Sequence, residues 1–145
     1  MNSHSVSVTR HVEFEAAHLL ADYPGACANL HGHSYKLEVT ICGPQQDDFF
    51  GFVMDFKVLD RILKSVVPDH KFIYNSLSED PLETELVGLL KSHEKSIWGM
   101  PGYPSAENMV GIFAKKIQEQ LPTDYFVTQV KLWETTNSFA TWRRT

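Results

Sequence analysis

The stretch Cys27-Ala-Asn-Leu-His31-Gly-His33-Ser-Tyr35-Lys-Leu-Glu-Val-Thr-Ile41 combines metal-ligating side chains with the pattern of a β-strand. From Tyr35 onward the residues alternate and include β-branched side chains, which is typical of a strand. Side chains two apart on a strand point to the same face, so His31 and His33 are predicted to lie side by side. Gly32 then faces the other way. Two neighbouring imidazoles favour a zinc site, although such pairs are more often exposed to solvent, and zinc takes at least three protein ligands.

A third candidate ligand, His18, follows the alternating run from Val6 to Ala17. If that run pairs antiparallel with the strand that begins at His31, His18 can face the histidine pair. Three histidines with one open position are the pattern of a catalytic zinc site. The loop between the two runs carries Cys27, which can bend over the metal.

Length and composition limit the class of protein. The chain has 145 residues, 43% of them hydrophobic, which predicts a single domain over residues 1–145 with an ordinary core. The net charge of −5 gives no support for binding to nucleic acid or to an anionic membrane. No apolar run approaches membrane-spanning length, and the start Met1-Asn-Ser-His-Ser5 lacks the core of a signal peptide. With only Cys27 and Cys42, we expect free thiols and a cytoplasmic protein.

Hydrophobic periodicity predicts strands near both ends of the chain and helices between them. The helices begin after the N-cap residues Asp55 and Ser105 and end before Pro68 and Pro122. The run Phe49–Met54 is interpreted as strand-like or partly buried. Residues 71–104 carry weak signals, with a short helical pattern over 82–93 and a brief strand over 95–100. The four clear strands are 5–16, 31–41, 125–133 and 138–143.

This order predicts an α+β fold in which an antiparallel four-stranded sheet has two main helices packed on one face. Such a sheet has exposed edges, and exposed edges favour pairing with other subunits.

Six short segments follow one another along the chain. They are Phe14-Glu-Ala-Ala-His18, Cys27-x-x-x-His31-Gly-His33-x-Tyr35, Gly51-Phe-Val-Met-Asp55-Phe56, Pro68-Asp69-His70 with Asn75, Pro104-Ser-Ala-Glu107-Asn108 and Trp133-Glu134-Thr135. Together and in this order they resemble the 6-pyruvoyltetrahydropterin synthase / 6-carboxytetrahydropterin synthase family, most of all its 6-carboxytetrahydropterin synthase branch. There are departures at Pro68, Tyr74, Ser105 and Trp142, and residues 77–103 look like an insertion relative to the shortest members.

The resemblance implies a tunnelling fold, in which subunits join their sheets into a β-barrel as a homo-oligomer (a hexamer or tetramer) with active sites at the interfaces. It implies Zn²⁺ held by His18, His31 and His33. It also implies Cys27 as the general base or acid, which a nearby zinc and His70 can activate. From the residues alone, Cys27 is equally an inert loop cysteine.

The remaining implied roles have simpler structural readings beside them. Asp69 and His70 would form a proton relay with Cys27, although by themselves they suggest a turn aspartate and an exposed histidine. Glu134 would accept the two adjacent N–H donors of a pterin, although a solvent-facing strand-end glutamate fits equally well. Ser105 and Glu107 are weaker candidates for the same pocket, and Glu107 also suits the dipole of a helix first turn.

The implied reaction is a lyase reaction that converts 7,8-dihydroneopterin triphosphate to 6-carboxy-5,6,7,8-tetrahydropterin, acetaldehyde and triphosphate, a step of queuosine biosynthesis. Three residues separate Cys27 from His31, as in the carboxy-forming members. The alternative inside the family is 6-pyruvoyltetrahydropterin synthase, which eliminates triphosphate and keeps the side chain. Outside it, a non-catalytic zinc- or pterin-binding protein would use Cys27 as a fourth ligand. A zinc hydrolase is less favoured, since the sequence has no His-Glu-x-x-His helix.

The triphosphate of the implied substrate requires cationic side chains. The candidates are Arg10, His11, Lys71, Arg143 and Arg144.

Overall fold

The computed structural model describes residues 5–145, so residues 1–4, which entered the signal-peptide expectation, lie outside the described residues. The elements form one six-stranded sheet in the order β4-β3-β1-β2-β5-β6, with three α-helices and a short 3-10 turn at Ala26–Ala28. The strands are β1 (Ser7–His18), β2 (His31–Cys42), β3 (Lys71–Asn75), β4 (Ile97–Met100), β5 (Phe126–Trp133) and β6 (Phe139–Arg143). The helices are α1 (Phe56–Val66), α2 (Pro81–Ser92) and α3 (Ala106–Gln118).

The four strands predicted from the sequence form an antiparallel block, β1-β2-β5-β6, and this part of the prediction is confirmed. The prediction of four strands is wrong, because β3 and β4 extend the sheet beyond β1. Both additional pairings, β1 with β3 and β3 with β4, are parallel, so the sheet is mixed. Strand β4 lies within the brief strand predicted over 95–100, whereas the five residues of β3 are too few for alternation to identify them.

Helices α1 and α3 pack on one face of the sheet, as predicted, and their N-caps are those expected. The Asp55 side chain accepts from the backbone N–H of Lys57, and the Ser105 hydroxyl accepts from that of Asn108. Their apolar faces and the strands enclose the main core, which includes Phe14, Tyr35, Leu37, Val39, Ile41, Leu59, Leu63, Ile73, Met109, Phe113, Ile117, Val130 and Leu132.

A third helix, α2, corrects the expectation of two helices on a single face. Consecutive residues of β3 point to opposite faces, and Ile73 belongs to the main core while Phe72 belongs to a second cluster. In that second cluster Phe72 packs with Leu19 and Ala21, and α2 covers them with Leu86, Val87 and Leu90. The helix therefore lies on the other face, above the added strands.

The run Phe49–Met54 is not a strand; it is partly buried, which is the second of the two expected states. Phe50 and Gly51 adopt positive φ angles of 57° and 75°, which turn the chain out of an extended path. The rings of Phe49, Phe50 and Phe52 contact one another on the surface, and Phe50 is 84% exposed. Only Val53 of this run enters the core.

Both outer borders of the antiparallel block are largely open. Strand β3 pairs with β1 only at Ala16 and Ala17, so within residues 5–145 the same edge of β1 has no strand partner from Ser7 to Glu15. At the other border β6 pairs only with β5. Among the described residues, none of the helices has both the length and the apolar character needed to cross a membrane.

Candidate active site

Three histidines converge at the end of the β1–β2 ladder. The register places His18 directly opposite His31 and Ala16 opposite His33, so all three imidazoles lie on the core face. One ligand nitrogen from each ring can be chosen so that all three lie within 4.8 Å of one another. His18 is 1% exposed, and the ring centroids are 4.7–5.2 Å apart. The predicted juxtaposition of the three rings is therefore present.

Backbone carbonyl groups fix the protonation of two of these rings. Nδ1 of His18 lies 2.8 Å from the Pro104 carbonyl oxygen, and Nδ1 of His31 lies 2.7 Å from that of Asn29. A carbonyl oxygen can only accept, so in each ring Nδ1 carries the proton and donates it. The Nε2 nitrogens of the neutral rings therefore present lone pairs.

These lone pairs face each other. Nε2 of His18 is 3.1 Å from Nε2 of His31, and two acceptors at that distance repel unless a cation lies between them. Nε2 of His33 is buried and has no hydrogen-bond partner among residues 5–145. Two ligands of a tetrahedral zinc ion, with Zn–N bonds of about 2.0–2.1 Å, lie about 3.3 Å apart. The three rings thus fit a divalent metal in donor type and spacing, and His18 and His31 also fit it in tautomer.

Burial favours the neutral form of His18 and His33, which is the form that metal ligation requires. Desolvation lowers the pKa of His18 to about 4, and it also lowers the pKa of His33 despite the nearby Glu134 carboxylate.

Gly32, between His31 and His33 on β2, lies close to the neighbouring strand. A Cβ at this position would come 3.2 Å from the Ala16 carbonyl oxygen. A side chain at this position would therefore press on the strand pair that aligns the rings.

Cys27 lies in the 3-10 turn of the loop between β1 and β2. Its carbonyl oxygen accepts from the backbone N–H of Leu20 at 2.9 Å, which holds the turn beside the end of β1. The side chain is partly buried, and the thiol is free. Within the described residues, Cys27 is not part of the group of converging ligand atoms. The structure thus places Cys27 on the loop that joins the two histidine-bearing strands, without making it a ligand.

Glu134 lies next to the histidine cluster at the end of β5. Its Oε1 is 3.6 Å from Nε2 of His33. Burial raises the pKa of Tyr35, and the Glu134 carboxylate adds to this effect. Glu134 and Glu107 line one cavity of about 330 Å³ together with Ala106 and Ser138. Ser105 lines a different cavity, of about 260 Å³, and its hydroxyl caps α3. The predicted grouping of Ser105 with Glu134 and Glu107 is therefore not what the cavities display.

Nδ1 of His70 lies 3.0 Å from Oδ1 of Asp69 in the turn before β3. The backbone N–H of Glu15 donates to Asp69 at 2.9 Å and lowers the pKa of its carboxyl, an effect that His70 strengthens. Both side chains are more than half exposed (51% and 78%). His70 lines a cavity of about 690 Å³ with Glu15, Gly32, Ser34 and Lys71. Within one chain, neither residue joins the histidine cluster.

Three of the candidate phosphate-binding cations have other partners. Arg143 donates to the side-chain oxygen of Gln129 at 3.1 Å. Arg10 pairs with Asp60 on α1 at 3.0 Å, and Arg144 donates to Gln118 and to the Val127 carbonyl oxygen, both at 2.8 Å. Lys71 remains next to His70 in the larger cavity.

Sequence and fold comparisons agree with this geometry. A sequence model of the 6-pyruvoyl tetrahydropterin synthase family matches residues 7–145. The chain belongs to this family. Its relatives include the 6-carboxy-5,6,7,8-tetrahydropterin synthase of Haemophilus influenzae, 34% identical over 91% of this chain and 94% of the relative. The protein of the same name from Rickettsia bellii is 32% identical over 92% of this chain and 97% of the relative.

The fold similarity extends to solved structures of the family. The 6-pyruvoyl tetrahydropterin synthase of Plasmodium vivax superposes with a TM-score of 0.74 at 19% identity, covering 99% of both chains. Membership of the pterin synthase family confirms the expected family and the expected enzyme class, a lyase.

Sequence reasoning missed the backbone groups that orient the ligands of this family member, namely the carbonyl oxygens of Pro104 and Asn29. A carbonyl group has no side-chain signature, so no residue pattern identifies it. The one available signal was that Pro104 opens one of the segments that resemble the family.

Proposed function

We propose that this protein is a zinc-dependent 6-carboxy-5,6,7,8-tetrahydropterin synthase of queuosine biosynthesis. It converts 7,8-dihydroneopterin triphosphate to 6-carboxy-5,6,7,8-tetrahydropterin with release of acetaldehyde and triphosphate. The observation that carries the proposal is the convergence of three histidines, two of which face each other through Nε2, in a chain whose relatives bear that enzyme's name.

His18, His31 and His33 are the proposed zinc ligands. When bound, zinc supplies a Lewis acid that orients the side-chain hydroxyls of the substrate and lowers their pKa. Glu134 lies 3.6 Å from His33 and borders a cavity of about 330 Å³, which suits a carboxylate that anchors the pterin beside the metal. Its two oxygens accept the adjacent N–H groups of the pterin edge.

Cys27 is the proposed general base or acid that moves a proton at the substrate side chain. The alternative of a non-catalytic binding protein requires the thiol to close the metal sphere as a fourth ligand. The absence of Cys27 from the group of ligand atoms in residues 5–145 favours the catalytic role.

Asp69 and His70 are the proposed proton relay, and their position bears on the assembly. They lie beside the β1 edge that has no strand partner from Ser7 to Glu15, in the part of the chain that the structure describes. We propose that a second copy pairs its β6 with this edge, in a barrel-forming homo-oligomer. Active sites at the interfaces then combine the histidines of one subunit with the Asp69–His70 pair of another.

The experiment is incubation of the purified protein with 7,8-dihydroneopterin triphosphate, followed by mass identification of the pterin product and enzymatic trapping of acetaldehyde. We expect 6-carboxytetrahydropterin and acetaldehyde in equal amounts. A 6-pyruvoyl product without acetaldehyde would assign the other family activity, which the three-residue spacing between Cys27 and His31 disfavours. Substrate binding without turnover would support the non-catalytic alternative.

A further inference from the structure

We propose that Asn75 and Asn108 are positioning residues of the metal site. Their side chains hold the backbone at residues 102–104 so that the Pro104 carbonyl oxygen accepts the Nδ1 proton of His18 and leaves its Nε2 lone pair for the metal. This inference deepens the proposed function, since it rests on the proposed metal site. It also assigns a function to the hydrogen bonds that connect residues 77–103 to that site.

Asn75, the last residue of β3, is the centre of the first contact. Its Oδ1 accepts two backbone N–H groups, from Leu77 at 2.9 Å and from Gly102 at 3.0 Å. Its own backbone N–H donates to the carboxylate of Glu83 on α2, at 3.1 Å, and Glu83 is only 2% exposed. Asn75 thereby joins the start and the end of the inserted segment, and it fixes the residue two places before Pro104.

Asn108, in the first turn of α3, makes the second contact. Its Nδ2 donates to the carbonyl oxygen of Tyr103 at 2.9 Å, and its backbone N–H donates to the Ser105 hydroxyl at 3.2 Å. The residues on both sides of Pro104 are therefore bonded to the same asparagine. The direction of the Pro104 carbonyl group is set between these two anchors.

Gly102 makes this route of the backbone possible. Its φ of +120° lies in a region that side chains other than glycine rarely adopt. Its backbone N–H donates to Oδ1 of Asn75, and a Cβ added at Gly102 would lie 3.7 Å from Nδ2 of Asn108. The turn thus passes between the two amide side chains.

A competing hydrogen bond explains why this positioning matters. The Tyr35 hydroxyl lies 3.4 Å from Nδ1 of His18 and can donate as well as accept. If the Pro104 carbonyl oxygen moves away, Tyr35 can donate to Nδ1, and the ring proton then resides on Nε2. That tautomer has no lone pair for the metal. Loss of an outer-shell partner of a ligating histidine typically costs about 10–100-fold in metal affinity.

The direction of each hydrogen bond supplies the test. Asn75 accepts through its oxygen, so Asn75→Asp keeps the contact and Asn75→Ala removes it. Asn108 donates through its nitrogen, so Asn108→Asp removes the hydrogen bond. The new carboxylate would also repel the Tyr103 carbonyl oxygen, because both groups only accept. The same asparagine-to-aspartate change is therefore expected to be tolerated at one position and harmful at the other.

Two readouts follow these variants. The tautomer of His18 is measured in the metal-free protein by ¹⁵N NMR of the histidine rings, and the zinc Kd is measured by competition with a chromogenic chelator. We expect Asn75→Ala, Asn108→Ala and Asn108→Asp to shift His18 toward the Nε2–H tautomer and to weaken zinc binding about 10-fold or more. We expect Asn75→Asp to behave as the wild type.

Asp55→Ala is the control for general destabilisation. It removes the N-cap of α1 and so destabilises that helix, and Asp55 shares a cavity with Val8, about 30 Å along β1 from His18. It is expected to leave both readouts unchanged. An unchanged tautomer in the alanine variants, equal effects of Asn75→Asp and Asn75→Ala, or a shift in Asp55→Ala would each overturn the proposal. If Asn75→Ala does not fold, the Asn108 variants test the same relation.

The proposal and the metal assignment fail in different ways. A wild-type protein with the Nδ1–H tautomer that does not bind zinc would remove the assigned metal while the positioning stands. A wild-type protein that binds zinc but holds His18 as the Nε2–H tautomer when metal-free would remove the positioning alone.

Discussion

The Nε2 nitrogens of His18 and His31 lie 3.1 Å apart, and both are acceptors because the opposite nitrogen of each ring donates to a backbone carbonyl oxygen. Such an arrangement is unfavourable in the empty site and favourable around a cation. The strand pair thus builds a binding site in advance, and the metal relieves a repulsion that the fold imposes.

This relationship predicts the metal content. We expect one zinc per subunit in the wild type and loss of zinc in His31→Ala, since two histidines leave the coordination sphere incomplete. The measurement is elemental analysis after dialysis. His93→Ala, at the C-cap of α2, is the control and is expected to retain zinc. Full zinc content in a variant with all three histidines replaced by alanine would eliminate the site.

Cys27→Ala is expected to separate binding from chemistry. Because Cys27 is not among the converging ligand atoms of the described residues, the variant should bind zinc and substrate normally. Turnover should fall roughly 100-fold or more, the usual contribution of a general base. Steady-state kinetics with metal analysis provides the measurement, and Cys42→Ala at the end of β2 is the matched control. Wild-type turnover in Cys27→Ala would move the base elsewhere, with His70 as the next candidate.

Glu134→Gln is expected to impair substrate binding. An amide in place of the carboxylate presents only one acceptor to the two adjacent N–H groups of the pterin, and hydrogen bonds to charged groups contribute about 1.5–3 kcal/mol. We expect KM to rise about 10-fold or more. Glu107→Gln is the comparison, because Glu107 lines the same cavity but lies in the first turn of α3. Equal effects of the two variants would contradict a distinct anchoring role for Glu134.

The stability of the metal-free protein is expected to fall on acidification. Burial lowers the pKa of His18 from 6.5 in the unfolded chain to about 4 in the native state. Between these values the unfolded state binds a proton that the native state does not, so the free energy of unfolding falls as the pH drops from 6.5 toward 4. Urea unfolding at several pH values in the presence of a chelator measures this slope. The slope should be shallower in His18→Gln, and an identical slope would contradict the burial effect.

The open strand edges predict self-association. From Ser7 to Glu15 the outer edge of β1 has no strand partner within residues 5–145, and β6 pairs only with β5. Unpaired edges of this length favour pairing with another copy. Light scattering at micromolar concentration should therefore give a mass above that of one chain. A monomer at that concentration would argue against the proposed barrel.

The antiparallel block and the three histidines were accessible from the sequence because each depends on periodicity. Strands β1 and β2 have 12 residues each, long enough to display alternation, and antiparallel pairing alone brings His18 opposite His31. The N-cap residues Asp55 and Ser105 identify in the sequence where helices α1 and α3 begin.

The parts that the sequence did not reveal depend on long-range contacts. Strands β3 and β4 are short, and their parallel pairing requires the intervening helix α2 to pack on the second face. The exposed cluster of Phe49, Phe50 and Phe52 carries an apolar pattern that favours burial, and only the left-handed backbone at Phe50 turns it outward. The hydrogen bond from His18 to Pro104 joins residues 86 positions apart through a main-chain group.

That separation also sets an order on the formation of the site during translation. All three ligands have been synthesised once His33 leaves the ribosome, yet the carbonyl oxygen that orients His18 belongs to residue 104, and Asn108 follows it. A nascent chain that exposes only β1 and β2 therefore lacks the carbonyl group that sets the tautomer of His18, although the one that orients His31, at Asn29, is already present. The three-histidine site is complete only after residues 104 and 108 have emerged.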